Sequence, residues 1–309
     1  MRTEHGYHLA VMAEEVMTNM VLDLNGFYLD ATLGGGGHTG KILSLLNENG
    51  KVLALDRDPE AIARNRKNFE NEKRLQIEQA EFSRLGEFCA DESLSGALFD
   101  LGVSSRQLDA KERGFSFTAG TELDMRMGDL GPAAADLLKN WDEWELSSIL
   151  RRNADIEPAK RLARFIVSEI ENGTELNSDL IRRAVDQLPG IHSDNRNSML
   201  ARIFQAIRME VNDEMNQVQI GLRAAVKAMR KGGRICVLSY HSVEDRKVKE
   251  TFAEFEKDCI CANNLPVCQC GSNHKKLQKV IRKPLLPTDT ERQQNPRARS
   301  AKLRVVEKI

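Results

Sequence analysis

Three groups in the N-terminal third of the chain have the residue types and spacing to bind and process a ligand. Gly34, Gly35, Gly36 and Gly37 form a run in DATLGGGGHTGKIL, between a strand-like and a helix-like segment. Glycine lets a backbone approach a ligand closely and take positive φ. The helix N-terminus that follows offers unpaired N–H groups and the positive end of a dipole. A dinucleotide site uses this arrangement for pyrophosphate, and a methyltransferase can use it for the amino-acid end of its donor. A flexible turn would look the same, because the run lacks the G-x-G-x-x-G spacing. Asp56 ends the next strand-like run about twenty residues on, the spacing of a ribose-binding acid. Its alternative is a helix N-cap, for which Asp58 before Pro59 competes. Asp100 ends a later apolar run between Phe99 and Leu101, where an unpaired carboxylate is costly, and this favours a ligand role over a structural cap. Phe82 is placed either to cover an adenine face or to sit in the core. Gln107 either bonds a donor or faces solvent.

Other polar clusters admit two readings each. His241, in Tyr240-His241-Ser242, is either a proton acceptor or an orienting group, and Ser242 is placed to cap a helix beginning at Val243, with Asp245 three residues on. Arg208, Glu210, Asn212 and Asp213 form either a salt-bridge network or an RNA contact. Arg126, Arg297 and Arg299 either bind phosphate or are solvated surface charge. Cys259, Cys261, Cys268 and Cys270 form two C-x-C pairs in CICANNLPVCQCGSNH, with Pro266 and Gly271 favouring turns. Four thiolates so close in sequence suit one structural zinc, and His274 could replace a cysteine. The spacing is tighter than C-x-x-C, so four free thiols in a loop is the equal alternative, and disulfides in a reducing compartment the weaker one.

The elements that must position these groups alternate. FYLDAT, KVLALD, LQIEQA and GALFDLGVS read as strands, separated by helix-compatible stretches, one of them opened by Pro59. GALFDLGVS is apolar on both faces, as a covered parallel strand must be. This order predicts a doubly wound, Rossmann-like α/β sheet. From about Glu112 the strand signal fades. ADLLKNWDEWELSSILRR, PAKRLARFIVSEIE and SMLARIFQAIRMEVN carry helical periodicity. A helix over Glu214 to Arg230, a late strand in GGRICVLSYHS, and strands in KVIRKPL and AKLRVVE follow. The expected organisation is therefore a core over residues 1–111, a helical insertion over 112–213, and the rest of the core over 214–309, with the cysteine-rich loop and a basic segment.

Composition bounds the class. The chain has 309 residues and a net charge of −1, but Lys275 to Lys308 holds eleven Lys/Arg against three Asp/Glu, a local excess of the kind that phosphate binding needs. No apolar run has the length of a membrane span, and MRTEHGYHLAVMAEEV lacks a signal peptide's apolar core, so a cytoplasmic protein is expected.

The segments HLAVMAEEV, YLDATLGGGGHTGKIL, LALDRDPEAI, EFSRL, FDLGVSSRQLD, RGFSF, LDMRM, IFQAIRMEVNDE, LSYHSVEDRKVKETF and NPRARSAKLRVVE run in order along nearly the whole chain. With them the sequence resembles the bacterial ribosomal RNA small subunit methyltransferase H family, also called the MraW family. The resemblance implies an S-adenosylmethionine-dependent methyltransferase sheet with an inserted helical domain. It implies donor binding by Gly36, Gly37, His38, Asp56, Phe82, Asp100 and Gln107, with Gly35 in the same turn. It implies N4-methylation of a cytidine in the decoding region of 16S ribosomal RNA. The expected partner is that RNA or the assembling small subunit, with the insertion recognising RNA; a homodimer is left open. FDLGV stands where many amino-methyltransferases carry D/N-P-P-Y, so Asp100, or the carbonyls beside it, is the candidate acceptor for the target amine; the alternative is that Asp100 serves the donor alone. A nicotinamide oxidoreductase fits poorly, because the glycine run departs from its fingerprint. A non-catalytic RNA-binding factor is disfavoured because nothing in the sequence shows a lost donor site, and donor titration with a methyl-transfer assay separates it; a DNA cytosine methyltransferase is separated only by testing the acceptor.

Overall fold

The protein is described by a computed structural model over residues 10–261 and 268–309, without the side chains of Ser105, Ser193 and Asp194. The stretch read as lacking a signal peptide falls partly, at residues 1–9, outside the described residues, and so does Pro266 of the cysteine loop. The chain divides into two compact units: one runs up to Gly102 and resumes over Asn216–Ile309, and the other is Val103–Met215. The inserted unit thus begins nine residues before the expected position 112.

The first unit is built on seven strands: β1 (Phe27–Asp30), β2 (Lys51–Asp56), β3 (Leu75–Gln79), β4 (Leu94–Asp100), β5 (Met229–Ser239), β6 (Leu277–Lys279) and β7 (Lys302–Lys308). Their order across the sheet is β3-β2-β1-β4-β5-β7-β6. The first five strands run parallel, while β7 is antiparallel to both β5 and β6. β4 is buried along all but its last residue, in keeping with its unbroken apolar sequence. Helices Ala13–Met20 and Gly37–Leu45 contribute Val16, Met20, Ile42 and Leu43 to a core shared with Tyr28, Leu98 and Leu238. Because the central strands are parallel, Asp30, Asp56 and Asp100 all end at one edge of the sheet. Residues 229–231 are already strand, so the helix Glu214–Ala228 ends two residues before Arg230.

The basic C-terminal segment is not a free tail. It supplies β6, the helix Asp289–Gln294 and β7. Several of its cations are held internally: Arg304 chelates Asp245 at 2.6 and 3.1 Å, and Lys279 pairs with Glu256 at 2.7 Å. Among the described residues no helix is long and apolar enough to cross a membrane.

The second unit is helical: Ala134–Asn140, Glu143–Ala154, Ala159–Glu171, Ser178–Asp186 and Ser193–Val211. They enclose a core that includes Leu146, Leu150, Leu162, Ile166, Leu180, Ile203, Phe204 and Ile207. The segment ADLLKNWDEWELSSILRR, expected as one helix, is two. Asp142 breaks it by accepting from the Glu145 N–H at 2.7 Å while the Glu145 carboxylate accepts from the Asp142 N–H at 3.1 Å, a capping box. Asn212 ties the unit together. Its Nδ2 donates to the carbonyls of Met125 (2.7 Å) and Arg208 (2.8 Å), and its Oδ1 accepts from the Met127 N–H (2.8 Å).

Asn212→Ala should therefore strand buried backbone groups. The expected cost is about 1–3 kcal/mol of stability, read as a lower denaturant midpoint; an unchanged midpoint would contradict this role.

Candidate active site

The turn after β1 is shaped by its glycines. Gly34 has φ 48° and Gly36 has φ 80°, a conformation L side chains rarely adopt. A Cβ on Gly36 would also lie 2.2 Å from Asn65 Oδ1, whereas one on Gly35 would meet no atom within 4 Å. The carbonyl of Gly34 is gripped by Arg64 and by Asn65 Nδ2, both at 2.9 Å. The helix Gly37–Leu45 starts at N-cap Gly36, and no side chain caps it. Its first N–H groups are therefore free of side-chain competition at the positive end of the dipole, a suitable seat for a carboxylate.

Asp56 ends the neighbouring strand and braces this turn. Its Oδ2 accepts from the Gly34 N–H at 2.7 Å and its Oδ1 from the Asp58 N–H at 2.9 Å. Asp58, not Asp56, is the N-cap of the next helix, accepting from the Glu60 N–H at 3.0 Å. Asp56 is thus free of the cap role, and each of its oxygens keeps a second lone pair. Removal from water pushes its carboxyl up to about 6, against the two N–H bonds that favour the anion.

Asp100 is the most engaged of the expected residues. Tyr240, next after β5, donates its hydroxyl to Asp100 Oδ1 at 2.5 Å. His38 Nε2 stands 3.6 Å from Oδ2, an ion-pair distance rather than a hydrogen bond. The backbone N–H of Asp100 donates to Thr32 Oγ1 at 2.8 Å. A quarter of the Asp100 side chain is exposed, against 7% for His38. Burial and the adjacent Asp100 charge push the Tyr240 hydroxyl well above its ordinary value, so it stays a neutral donor. For His38, burial opposes protonation, but Asp100 and then Asp30 outweigh it and raise the imidazole above 6.5.

Asp30, at the end of β1, is the carboxylate that the sequence reading missed. It is fully buried, accepts from the Thr39 hydroxyl at 2.6 Å and from the Thr32 N–H at 3.2 Å, and burial raises its pKa. The signal was available: Asp30 ends its strand as Asp56 and Asp100 end theirs. Tyr240 carries no such signal, because its partner Asp100 lies 140 residues away.

Phe82, half-buried in the turn after β3, meets Phe99 edge-on at 5.6 Å and packs on Gly221, where a Cβ would come within 2.6 Å of its ring. Gln107 lies in the other unit and is buried, not solvent-facing. Its Oε1 accepts from the Ser104 N–H at 2.9 Å within a capping box. His241 corrects a further expectation. It, rather than Ser242, is the N-cap: Nδ1 accepts from the Glu244 N–H at 3.3 Å, which puts the ring proton on Nε2, 2.8 Å from the Glu244 carboxylate. Asp245 faces Arg304 instead of completing a box. The Arg208 cluster follows its salt-bridge reading, with Arg208 chelating Glu214 at 2.7 and 3.0 Å and Glu210 taken by Arg152 and Asn153. Arg126 chelates Asp124. Cys259, Cys261, Cys268 and Cys270 are brought together, with their sulfurs within 4.8 Å of one another.

A parallel sheet closed by a reversed β7, with a glycine turn and strand-end carboxylates at one edge, defines a Rossmann-like methyltransferase whose methyl donor is S-adenosylmethionine. The chemistry at this edge fits such a donor: the helix start has no side-chain cap to compete with an anion, and the Asp56 carboxylate accepts two backbone N–H groups and keeps acceptor capacity for hydroxyl donors. The chain belongs to the MraW methylase family, whose profile matches residues 5–309. It is 42% identical to the ribosomal RNA small subunit methyltransferase H of Caldicellulosiruptor saccharolyticus, over 98% of this chain and 99% of the relative. The proteins of that name from Heliobacterium modesticaldum and Clostridioides difficile are 40% and 38% identical, each over 98% of this chain and 99% of theirs.

Asp100→Asn should lower the pKa of His38, because the charge that outweighs burial is removed. The sign for stability is fixed by the raised value: protonated His38 stabilises the fold fully below about pH 6.5, and this is lost as pH rises through its folded pKa. An NMR titration of the imidazole checks this; a His38 pKa unmoved by the substitution would show that Asp100 does not control it.

Proposed function

We propose that this chain transfers a methyl group from S-adenosylmethionine to the exocyclic N4 amine of a cytidine in the decoding region of small-subunit ribosomal RNA. The observation that carries the reading is Asp100: a partly exposed carboxylate at the sheet's ligand-binding edge, held by Tyr240 and His38. The names of the full-length relatives support the RNA substrate.

In this reading the donor's amino-acid end lies on Gly35, Gly36, Gly37 and His38, its ribose on Asp56, and its adenine against Phe82. The donor supplies a sulfonium methyl open to in-line attack, so positioning supplies much of the catalysis. The amine is a poor nucleophile because its lone pair is delocalised into the ring. Asp100 accepts a hydrogen bond from the amine, which favours a tetrahedral nitrogen as the N–C bond forms and the S–C bond breaks; the sulfur leaves as a neutral thioether, and the methylated nitrogen gives its extra proton to solvent. Tyr240 keeps the carboxylate aimed by occupying Oδ1. The base must stand out of any stack to reach this edge. The helical unit and the exposed Lys275, Lys276, Arg282, Lys283 and Arg299 supply the RNA surface, so RNA affinity falls as salt rises.

Asp56→Ala should weaken donor binding by about ten- to a hundred-fold, the loss of a charge-assisted hydrogen bond of roughly 1.5–3 kcal/mol. Ribose hydroxyls donate to the carboxylate, so donor affinity should also fall as pH drops through about 6. Between pH 7 and pH 5 the decline is about tenfold, and Asp56→Asn flattens it. Calorimetry giving an unchanged affinity in a folded variant would remove Asp56 from the ribose role.

The substrate is tested by mass spectrometry of ribosomal RNA from cells lacking the protein. The expected result is loss of an N4-methyl group from one small-subunit cytidine, restored by the wild-type chain. Intact methylation would overturn the proposal, as would a missing methyl group on DNA instead.

A further inference from the structure

The helix Ser242–Glu256 leads into the loop that carries four of the six cysteines. Backbone bonds close its stem: the His274 N–H donates to the Asp258 carbonyl at 3.0 Å, and the Lys276 N–H to the Phe255 carbonyl at 2.8 Å. Inside the stem Cys259 Sγ lies 3.6 Å from Cys268 Sγ and 3.7 Å from Cys270 Sγ, and the last two are 3.6 Å apart. A disulfide needs about 2.0 Å, so none of these pairs is bonded. Four sulfurs around one zinc at about 2.3 Å stand about 3.8 Å from each other, the edge of the tetrahedron. The three spacings among Cys259, Cys268 and Cys270 are close to that edge, and Cys261 Sγ lies within 4.8 Å of the other sulfurs.

The backbone is arranged for sulfur that carries negative charge. The N–H groups of Gln269 and Cys270 both point at Cys261 Sγ, at 3.2 Å, and the Ile260 N–H points at Cys270 Sγ at 3.5 Å. Each C-x-C arm thus donates to a sulfur of the other. Such N–H contacts orient metal-bound thiolates and offset their charge. His274 is not among the ligands: its Nε2 lies 3.1 Å from the Cys270 carbonyl. Cys259 and Cys268 are exposed, so no surrounding core accounts for their meeting.

We propose that Cys259, Cys261, Cys268 and Cys270 bind one Zn²⁺ as a closed tetrathiolate. Each thiol yields its proton to solvent as its sulfur takes a coordination position, and all four positions are filled, leaving none for substrate. The site is structural: it fastens Cys259 and Cys261 to Cys268 and Cys270 between the helix Ser242–Glu256 and β6.

The test is the metal content of the full chain, purified without added metal or chelator. About one zinc per chain is expected, released by a mercurial in step with thiol modification and absent from the double variant Cys268→Ser, Cys270→Ser. Chelator-stripped wild-type protein should take up one cobalt ion with a thiolate-to-cobalt charge-transfer band. The proposal is overturned by metal-free wild-type protein with four freely titrating thiols here and no cobalt band. Disulfides among these cysteines in the intact-mass spectrum would overturn it equally.

Discussion

Three carboxylates on adjacent parallel strands are the constraint around which this site is built. Asp30, Asp56 and Asp100 end β1, β2 and β4, and an uncompensated carboxylate out of water costs several kcal/mol. The chain answers each differently. Asp30 is fully enclosed and is satisfied by Thr39 and the Thr32 N–H. Asp56 is half-enclosed and takes the N–H groups of Gly34 and Asp58, which also fixes the glycine turn. Asp100 keeps the most polar company, with Tyr240 on one oxygen and His38 near the other. The differing environments separate their duties: Asp30 supports the turn through Thr39, Asp56 stays available to hydroxyl donors, and Asp100 presents a held carboxylate at the sheet edge.

The same constraint explains residues whose chemistry looks catalytic but whose work is structural. His241 sits one residue from Tyr240, yet both its ring nitrogens face Glu244, whose carboxylate also receives the Tyr240 N–H at 2.7 Å. This knot sets where the chain leaves β5, and so where the Tyr240 hydroxyl falls. His241 and Glu244 act on Asp100 through Tyr240.

Much of this was legible in sequence because it depends on local rules. Apolar runs ending in Asp56 and Asp100, a glycine run before a helix, and Pro59 behind Asp58 each imply their own geometry. The pairings that complete the site were not legible, because they join distant positions: Tyr240 and Asp100 are 140 residues apart. Asp30 is hidden by a different cause: FYLDAT places it inside a strand, whereas β1 ends at it. In the helical unit, ADLLKNWDEWELSSILRR keeps one periodicity across a break made by a single capping box at Asp142. The helix Ser178–Asp186 was missed although Asn177 caps it and Leu180, Ile181, Ala184 and Val185 share its buried face. The cysteine spacing alone leaves zinc and free thiols equal; the sulfur positions, which no spacing rule gives, are what the zinc proposal rests on.

The proposed chemistry depends on Asp100 acting on the target amine rather than only holding the donor. The most direct measurement compares, for Asp100→Ala and wild type, donor affinity by calorimetry and the single-turnover rate of methyl transfer to small-subunit RNA. A rate that falls by orders of magnitude while donor affinity changes little is the predicted result. Equal losses in the two quantities, or a variant that still transfers methyl at the wild-type rate, would contradict it.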